Sequence, residues 1–519
     1  MAPGSAGAAR EDWTQVGRWI DAWAERTPER SALADGEREL SYAQLAERIA
    51  RCAGWLHASG VRRGARVALL LGNRSAAVEL TFAAARQGAI AVPLNTRLTA
   101  HELAPLVADA EPALLVHESG LAELAQRAAP DTPRCACGGA PDAYEAALAA
   151  CPARPAESLD ALAPMILMYT SGTTGVPKGA LLPHRKTLYN SLNAEQYFGL
   201  GPADSVGVPL PLFHSFGLLI LTLPALFCGA RAVLQRRFDA AGLWQLAAEQ
   251  RLAFFGAVPS QLRALEEAHA RAPALDLSSL RFVFSAGAAL PVSLIEAYAR
   301  RGIVVKQGFG QTETSTLCCL EAADALRKAG SVGRPVRHVE LRAVALESIS
   351  GPVSGWRDVP PGETGEICVR GPIAMLGYWR RPEASAEVLR EGWLRTGDLA
   401  RIDREGFVTL VGRSRDLYIS GGENVYPAEV EALLETHPSV REVAVIGVPD
   451  ERWGEVGCAF VVPHDAARFD PDALLAFARE RLAAFKLPQR LRLVERLPRT
   501  ETGKVQKHRL SALAAAPPE

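Results

Sequence analysis

"MILMYTSGTTGVPKGALLPH", residues 165 to 184, sets the reading of the whole chain. The apolar run Met165 to Tyr169 predicts a buried strand, and a second apolar stretch resumes directly after Lys178. Between them stand Thr170, Ser171, Gly172, Thr173, Thr174 and Gly175, followed by a valine, a proline and the lysine. A flexible linker has a similar composition, but ordered flanks pin both ends of this one. A short glycine-rich loop held in that way turns its N–H groups toward an anion, while the hydroxyls add donors and Lys178 adds charge. Phosphate is the expected guest. The loop is not of the Walker kind, because Lys178 stands between Pro177 and Gly179. It is not a dinucleotide fingerprint either: in the nearest candidate, "GFGQTE" at 308 to 313, Glu313 occupies the third glycine position.

Outward from the loop, composition sets the context. A chain of 519 residues with 48% hydrophobic content can fill at least two cores. Its 57 basic and 58 acidic residues give no global field for nucleic acid or an anionic membrane, so a small-molecule partner is expected. The nine cysteines are scattered. Cys135 with Cys137, and Cys318 with Cys319, have neither zinc-site nor disulfide-scaffold spacing, which fits a reducing, cytoplasmic setting. The start "MAPGSAGAARED" lacks an apolar signal core, and the longest apolar run, Phe216 to Cys228, contains Pro224 and is too short to span a bilayer. A soluble protein without a transmembrane segment is expected.

Helical patterns such as 42–60 alternate with short apolar runs such as 66–72 and 89–94, which predicts an α/β fold of crossover units on mainly parallel sheets. The expected organisation is a large N-terminal domain over 1–411 with flanking helices, its last part, about 331–411, forming a β-rich subdomain. A hinge at 412–417 then leads to a small, mobile α+β domain over 418–519, with a helical pattern at 471–485. The Ala/Pro-rich stretch 137–164 is expected to be a surface excursion.

"YTSGTTGVPKG", "PLFHSFG" (211–217), "QGFGQTET" (307–314), "TGDL" (396–399), "GRSRDLYISGGENVYPAEVE" (412–431) and "PRTETGKVQK" (498–507) occur in this order. Together they make the chain similar to the adenylate-forming superfamily of acyl-CoA synthetases, luciferases and peptide-synthetase adenylation domains, over essentially its whole length. The resemblance implies Mg2+ and ATP as cofactor and substrate: a carboxylate attacks the α-phosphate to give acyl-AMP, and the thiol of CoA then displaces AMP. It places the loop from Thr170 to Lys178 at the pyrophosphate, Thr312 at the α-phosphate, Glu313 at the magnesium ion and Phe309, usually a tyrosine in relatives, against adenine. Gly287 and Ala288 in "SAGAAL" would face the adenine, while Asp398 and Arg413 would hold the ribose. Lys504 would reach the acyl carboxylate and α-phosphate in one domain orientation. In the other, Gly421, Gly422 and Glu423 would line the pantetheine tunnel, Trp453 and Phe485 would contact the CoA nucleotide, and Arg415 would be the hinge.

The resemblance also carries substrate information. His214 and Phe216 stand where relatives that bind amino acids place an aspartate, so His214 would orient the acid and gate the thiol. Gly308 stands where malonate-activating relatives carry an arginine, and with Gly310 it would open uncharged volume for a hydrophobic monocarboxylate, fatty or aryl. The remaining histidines, such as His269 and His437, read as surface residues. The expected activity is an AMP-forming carboxylate–CoA ligase acting as a monomer or homodimer. A carrier-protein thiol as acceptor and a non-catalytic nucleotide-binding homologue are the alternatives.

Overall fold

The computed structural model describes residues 11–170, 177–271, 275–288, 290–421, 423–500 and 504–515. Among them the strands form four sheets, of nine, seven, five and five strands. The alternation of helical and apolar segments becomes two large α/β sheets. The seven-stranded sheet carries the phosphate-loop hairpin, Pro164–Thr170 and Lys178–Pro183, at its antiparallel end, next to the parallel strands Ile90–Pro93, Arg66–Leu70, Leu114–Glu118 and Arg134–Cys137. Ile90–Pro93 is buried throughout and Arg66–Leu70 nearly so. Helices cover both faces of such a sheet, so its strands read as unbroken apolar runs.

The nine-stranded sheet starts with the N-terminal hairpin Ser31–Ala34 and Glu39–Ser41 at one edge. It continues through the parallel strands Arg231–Leu234, Ser205–Val208, Phe254–Ala257, Phe282–Ser285 and Val305–Gln311, and ends in the antiparallel pair Ser315–Cys319 and Arg334–Pro335. One hydrophobic core joins the two large sheets through the helices Tyr42–Ala58, Ser75–Arg86 and His184–Phe198. Ser75–Arg86 is buried over its whole length.

A five-stranded antiparallel sheet of Glu340–Val344, Thr364–Arg370, Leu389–Arg390, Trp393–Ile402 and Val408–Arg413 occupies the region where the sequence turns β-rich. The last sheet holds Tyr418–Ser420, Glu423–Val425, Val440–Asp450, Gly454–Pro463 and Arg490–Leu493, with separate apolar clusters that include Val445 and Ile446, respectively. Adjacent residues of one strand thus feed opposite cores, as a period of two requires. The helix expected over 471–485 stops at Arg479, and Ala484–Lys486 forms a 3-10 turn. Leu482, Phe485 and Leu487 pack on the small-sheet core, and that contact overrides the helical pattern.

The apolar stretch after His214 departs from regular α geometry. Phe216–Thr222 is a π-helix that continues as the α-helix Leu223–Phe227. Thr222 Oγ1 donates to the Gly217 carbonyl at 2.7 Å. A β-carbon on Gly217 would stand 2.4 Å from the Pro211 carbonyl oxygen, so only glycine allows this close approach. In the π-helix Phe216 and Ile220 stay half-buried, while Gly217, Leu218, Leu219, Leu221 and Thr222 are buried. Single-turn π segments inside helices are frequent at functional sites.

Candidate active site

The phosphate-loop hairpin pairs Thr170 directly with Lys178. Ser171, Gly172, Thr173, Thr174 and Gly175 lie outside the described residues, as does Gly422. Lys178 emerges at the start of its strand with its ammonium 5.3 Å from the centre of the Tyr378 ring. Tyr378 is held there by backbone pairing with Ala180, and its hydroxyl donates to Glu313 Oε1 at 3.0 Å. One aromatic side chain therefore links the loop lysine to the acidic residue of "GQTE". Nothing in the sequence marks Tyr378, because the two groups it joins lie far from it along the chain.

Glu313 follows the strand Val305–Gln311 at a tight turn into Ser315–Cys319. Thr312 stands beside it, its hydroxyl 3.4 Å from that of Ser215. Ser215 adjoins His214, so the turn and the histidine segment meet. A β-carbon on Gly310 would lie 1.8 Å from the Ser315 carbonyl oxygen. Gly310 is thus a requirement of the turn, and this corrects its assignment to acyl volume.

Asp398 and Arg413 face each other across neighbouring strands, Arg413 Nε lying 3.0 Å from Asp398 Oδ1. Gln311 donates to the other oxygen of Asp398 and, at 2.8 Å, to the Thr396 carbonyl. Gln311 is a site residue that the motif contained but the sequence reading left unassigned. Burial raises the Asp398 pKa, and Arg413 and Gln311 work against that shift. Lys504, from the C-terminal segment, is exposed to solvent yet close enough to Asp398, Glu313, Arg413 and His214 for their charges to act on one another. Desolvation lowers its pKa and Arg413 adds to that, while Asp398 and Glu313 oppose it. The same lysine acts on His214, whose pKa falls to about 4, chiefly through burial and then through Lys504 and Arg97. The imidazole is neutral at physiological pH. Its Nε2 is buried without a hydrogen-bond partner among the described residues.

Two further orphaned polar atoms mark the strand ends above Gly287 and Ala288. Ser285 Oγ and Gln307 Nε2, on residues paired in register, are buried and without partners among the described residues. An unmade bond of that kind costs about 1–3 kcal/mol, which a bound ligand recovers. Gly287 has φ +92° and Ala288 is exposed, so the backbone is open there, and Phe309 lies buried on the adjacent strand.

Gly308 does not provide free volume. A β-carbon there would stand 2.4 Å from Phe284 Cζ, so that ring already fills the space. His269 is half-buried edge-on to Trp244 at 5.0 Å, and half-buried His437 contacts Ser439 Oγ at 2.8 Å, so neither is a free surface residue.

Gly421 and Trp453 form a group of their own. The Gly421 N–H donates to the Trp453 carbonyl at 2.9 Å, and the exposed indole lies against Gly421, whose φ is +60°. Glu423 is exposed on the adjoining strand, whereas Phe485 packs toward the small-sheet core. Arg415 is exposed, Nε 3.5 Å from Asp416 Oδ1. Among the described residues no cluster of three His, Cys, Asp or Glu could cage a metal ion. The single carboxylate Glu313 suits magnesium, a hard cation that keeps water and substrate phosphate as its other ligands.

A family model described as AMP-binding enzyme matches residues 20–379, and one described as AMP-binding enzyme C-terminal domain matches 429–504. A feruloyl-CoA synthase of an Amycolatopsis species is 42% identical over 494 residues, 95% of this chain and 97% of the relative. An indoleacetate–CoA ligase of Aromatoleum aromaticum is 40% identical over 512 residues, 96% of this chain and 98% of the relative. The o-succinylbenzoate CoA synthetase of Bacillus subtilis, solved with its acyl-adenylate intermediate, superposes with a TM-score of 0.85 at 32% identity, covering 95% of this chain and 97% of that one. The same protein has been solved with ATP and a magnesium ion.

Proposed function

The chain belongs to the AMP-binding enzyme family, and from that premise we propose that it is an AMP-forming carboxylate–CoA ligase for an aryl or aryl-alkenyl acid. The observation that carries the reading is the meeting of Lys504, from the C-terminal part, with Asp398, Glu313 and His214 of the large part. ATP, magnesium and CoA are the reactants of this class, and feruloyl-CoA synthase and indoleacetate–CoA ligase point to the aryl group.

In the first half-reaction a carboxylate oxygen attacks the α-phosphorus, and pyrophosphate leaves. Lys178 and the loop it ends hold the departing phosphates. Thr312 and Lys504 hold the α-phosphate, where a donor aimed at developing charge acts mainly in the transition state. Glu313 holds magnesium, which neutralises phosphate charge when bound. Asp398, held by Arg413 and Gln311, accepts from the ribose hydroxyls. Adenine lies between Phe309 and the open backbone at Gly287 and Ala288, and supplies partners for Ser285 and Gln307. Neutral His214 orients the acid without competing for it as a charge, and Phe216 packs against its apolar part. In the second half-reaction the thiolate of CoA attacks the acyl carbonyl and AMP leaves. Residues 412–417 act as the hinge for this step, turning the Gly421, Glu423 and Trp453 surface toward the thiol's path and drawing Lys504 away.

The test is acid-dependent release of pyrophosphate from Mg-ATP, followed by CoA-dependent thioester formation, with ferulate, cinnamate, benzoate and indole-3-acetate. No pyrophosphate from any acid would refute the ligase reading. Pyrophosphate release with a carrier-protein thiol accepted in place of CoA would overturn the acceptor.

A further inference from the structure

Two aromatic rings, Phe284 and Phe216, abut two glycines, Gly308 and Gly256. Phe284 abuts Gly308, where a β-carbon would stand 2.4 Å from Cζ and 2.8 Å from Cε2. Phe216 abuts Gly256, where a β-carbon would stand 2.8 Å from Cε2 of the ring and 2.7 Å from Leu221 Cδ1. The rings meet edge to face, with centroids 5.7 Å apart and planes at 81°. Phe284 is 1% exposed and is braced from behind by Phe198 at 4.7 Å. Phe198 is in turn wedged by Phe254 at 5.1 Å and Phe282 at 5.9 Å. A ring held on that many sides cannot turn away without opening a void in a close-packed core. Phe216, two residues after His214, is only half-buried, so part of the pair remains accessible.

We propose that Phe284 is the end wall of the acyl pocket and that it confines this ligase to compact, flat carboxylic acids, excluding long alkyl chains. The inference rests on the assignment of His214, Phe216 and Gly308 to the acyl side of the site. An extended alkyl chain passing Gly308 would need the volume that the Phe284 ring occupies. A planar acid ends against the ring and packs edge to face with it or with Phe216, an arrangement that adds to simple area burial. Gly308, which from sequence promised space, is the reason the wall can come so close: any side chain there would push the ring out.

The experiment is a ladder of acids, benzoate, cinnamate, ferulate, hexanoate, decanoate and palmitate, read as kcat/KM for pyrophosphate release in the wild type, Phe284→Ala and Phe284→Leu. The wild type should favour the aryl acids over decanoate and palmitate by about 100-fold or more, and the Ala variant should raise decanoate by about 10-fold to 100-fold. Phe284→Leu, a smaller truncation, keeps the test open if the alanine variant fails to fold, and should shift the profile in the same direction. Palmitate used as well as cinnamate by the wild type, or a length profile that neither substitution moves, overturns the wall while leaving the ligase reading standing. Absence of pyrophosphate release with every acid refutes the ligase reading and the wall together.

Discussion

Lys186 is 1% exposed, and its ammonium donates to the hydroxyl of Ser315. Burial lowers its pKa to about 7, and the negative charge of Glu313 opposes that shift without undoing it. The unfolded chain, with an ordinary lysine pKa of 10.5, therefore binds more protons than the folded one between about pH 7 and 10.5. Stability then rises with pH across that window, and the penalty is complete below it. Lys186→Met, which keeps the length and removes the charge, should stabilise the protein by about 1–4 kcal/mol at pH 7. The gain should shrink toward pH 10. Urea unfolding of both proteins at the two pH values checks this, and equal gains at both would show that the charge is compensated. Such a residue is illegible in sequence, since Ser315 lies 129 positions away and no spacing links them. Asp398 and Arg413 were legible because each sits inside a recognisable block. Gly308 was legible as a glycine and misread as space, because only the tertiary structure shows which neighbour takes the volume.

The segment from Met375 to Trp379 works as a strap between two pieces of the site. The Met375 N–H donates to the Glu313 carbonyl at 2.8 Å, Leu376 to the Leu181 carbonyl at 2.9 Å, and Trp379 to the Gly179 carbonyl at 2.7 Å. It fixes the exit strand of the phosphate loop to the turn that carries Glu313, and Tyr378 makes the same link with its side chain. Tyr378→Phe keeps the ring beneath Lys178 and removes the donor to Glu313. On the role proposed for Glu313 at magnesium, loss of the donor that orients its carboxylate should raise the magnesium concentration for half-maximal pyrophosphate release by about tenfold. An unchanged magnesium dependence would show that the hydroxyl does not orient Glu313. The strap escaped the sequence reading because its strand, Gly377–Tyr378, is two residues long. Parallel strands such as Ile90–Pro93 were easily read, since burial on both faces leaves an apolar run. The π-helix at Phe216–Thr222 was not, because a segment apolar on every side has no period to read.

At the scale of the whole molecule the two parts are set so that Lys504 acts on Asp398, Glu313 and His214. Lys504→Ala should lower acyl-AMP formation by orders of magnitude while preformed acyl-AMP and CoA still give thioester at near the wild-type rate. Arg415→Pro, which fixes φ at the joint, should do the reverse. Single-turnover assays of each half-reaction decide, and equal impairment of both steps in Lys504→Ala would mean that the parts do not alternate. The family blocks gave the order of these parts along the chain; their relative placement came only with the packing of one on the other. The nine-stranded sheet has a consequence for how the protein is made. Leu33 pairs with Ala232, so the first hairpin borders a strand that the ribosome delivers much later, after about 10–40 s of elongation at roughly 5–20 residues per second. Until then Ser31–Ala34 has only its hairpin partner Glu39–Ser41 and the helix Tyr42–Ala58 beside it, and Trp19 and Ile20 of the helix Trp19–Arg26 lack the rest of the shared core. The nascent chain carries that apolar end only partly buried, a natural point of capture for a chaperone, and the first strand made is placed only when the middle of the chain arrives.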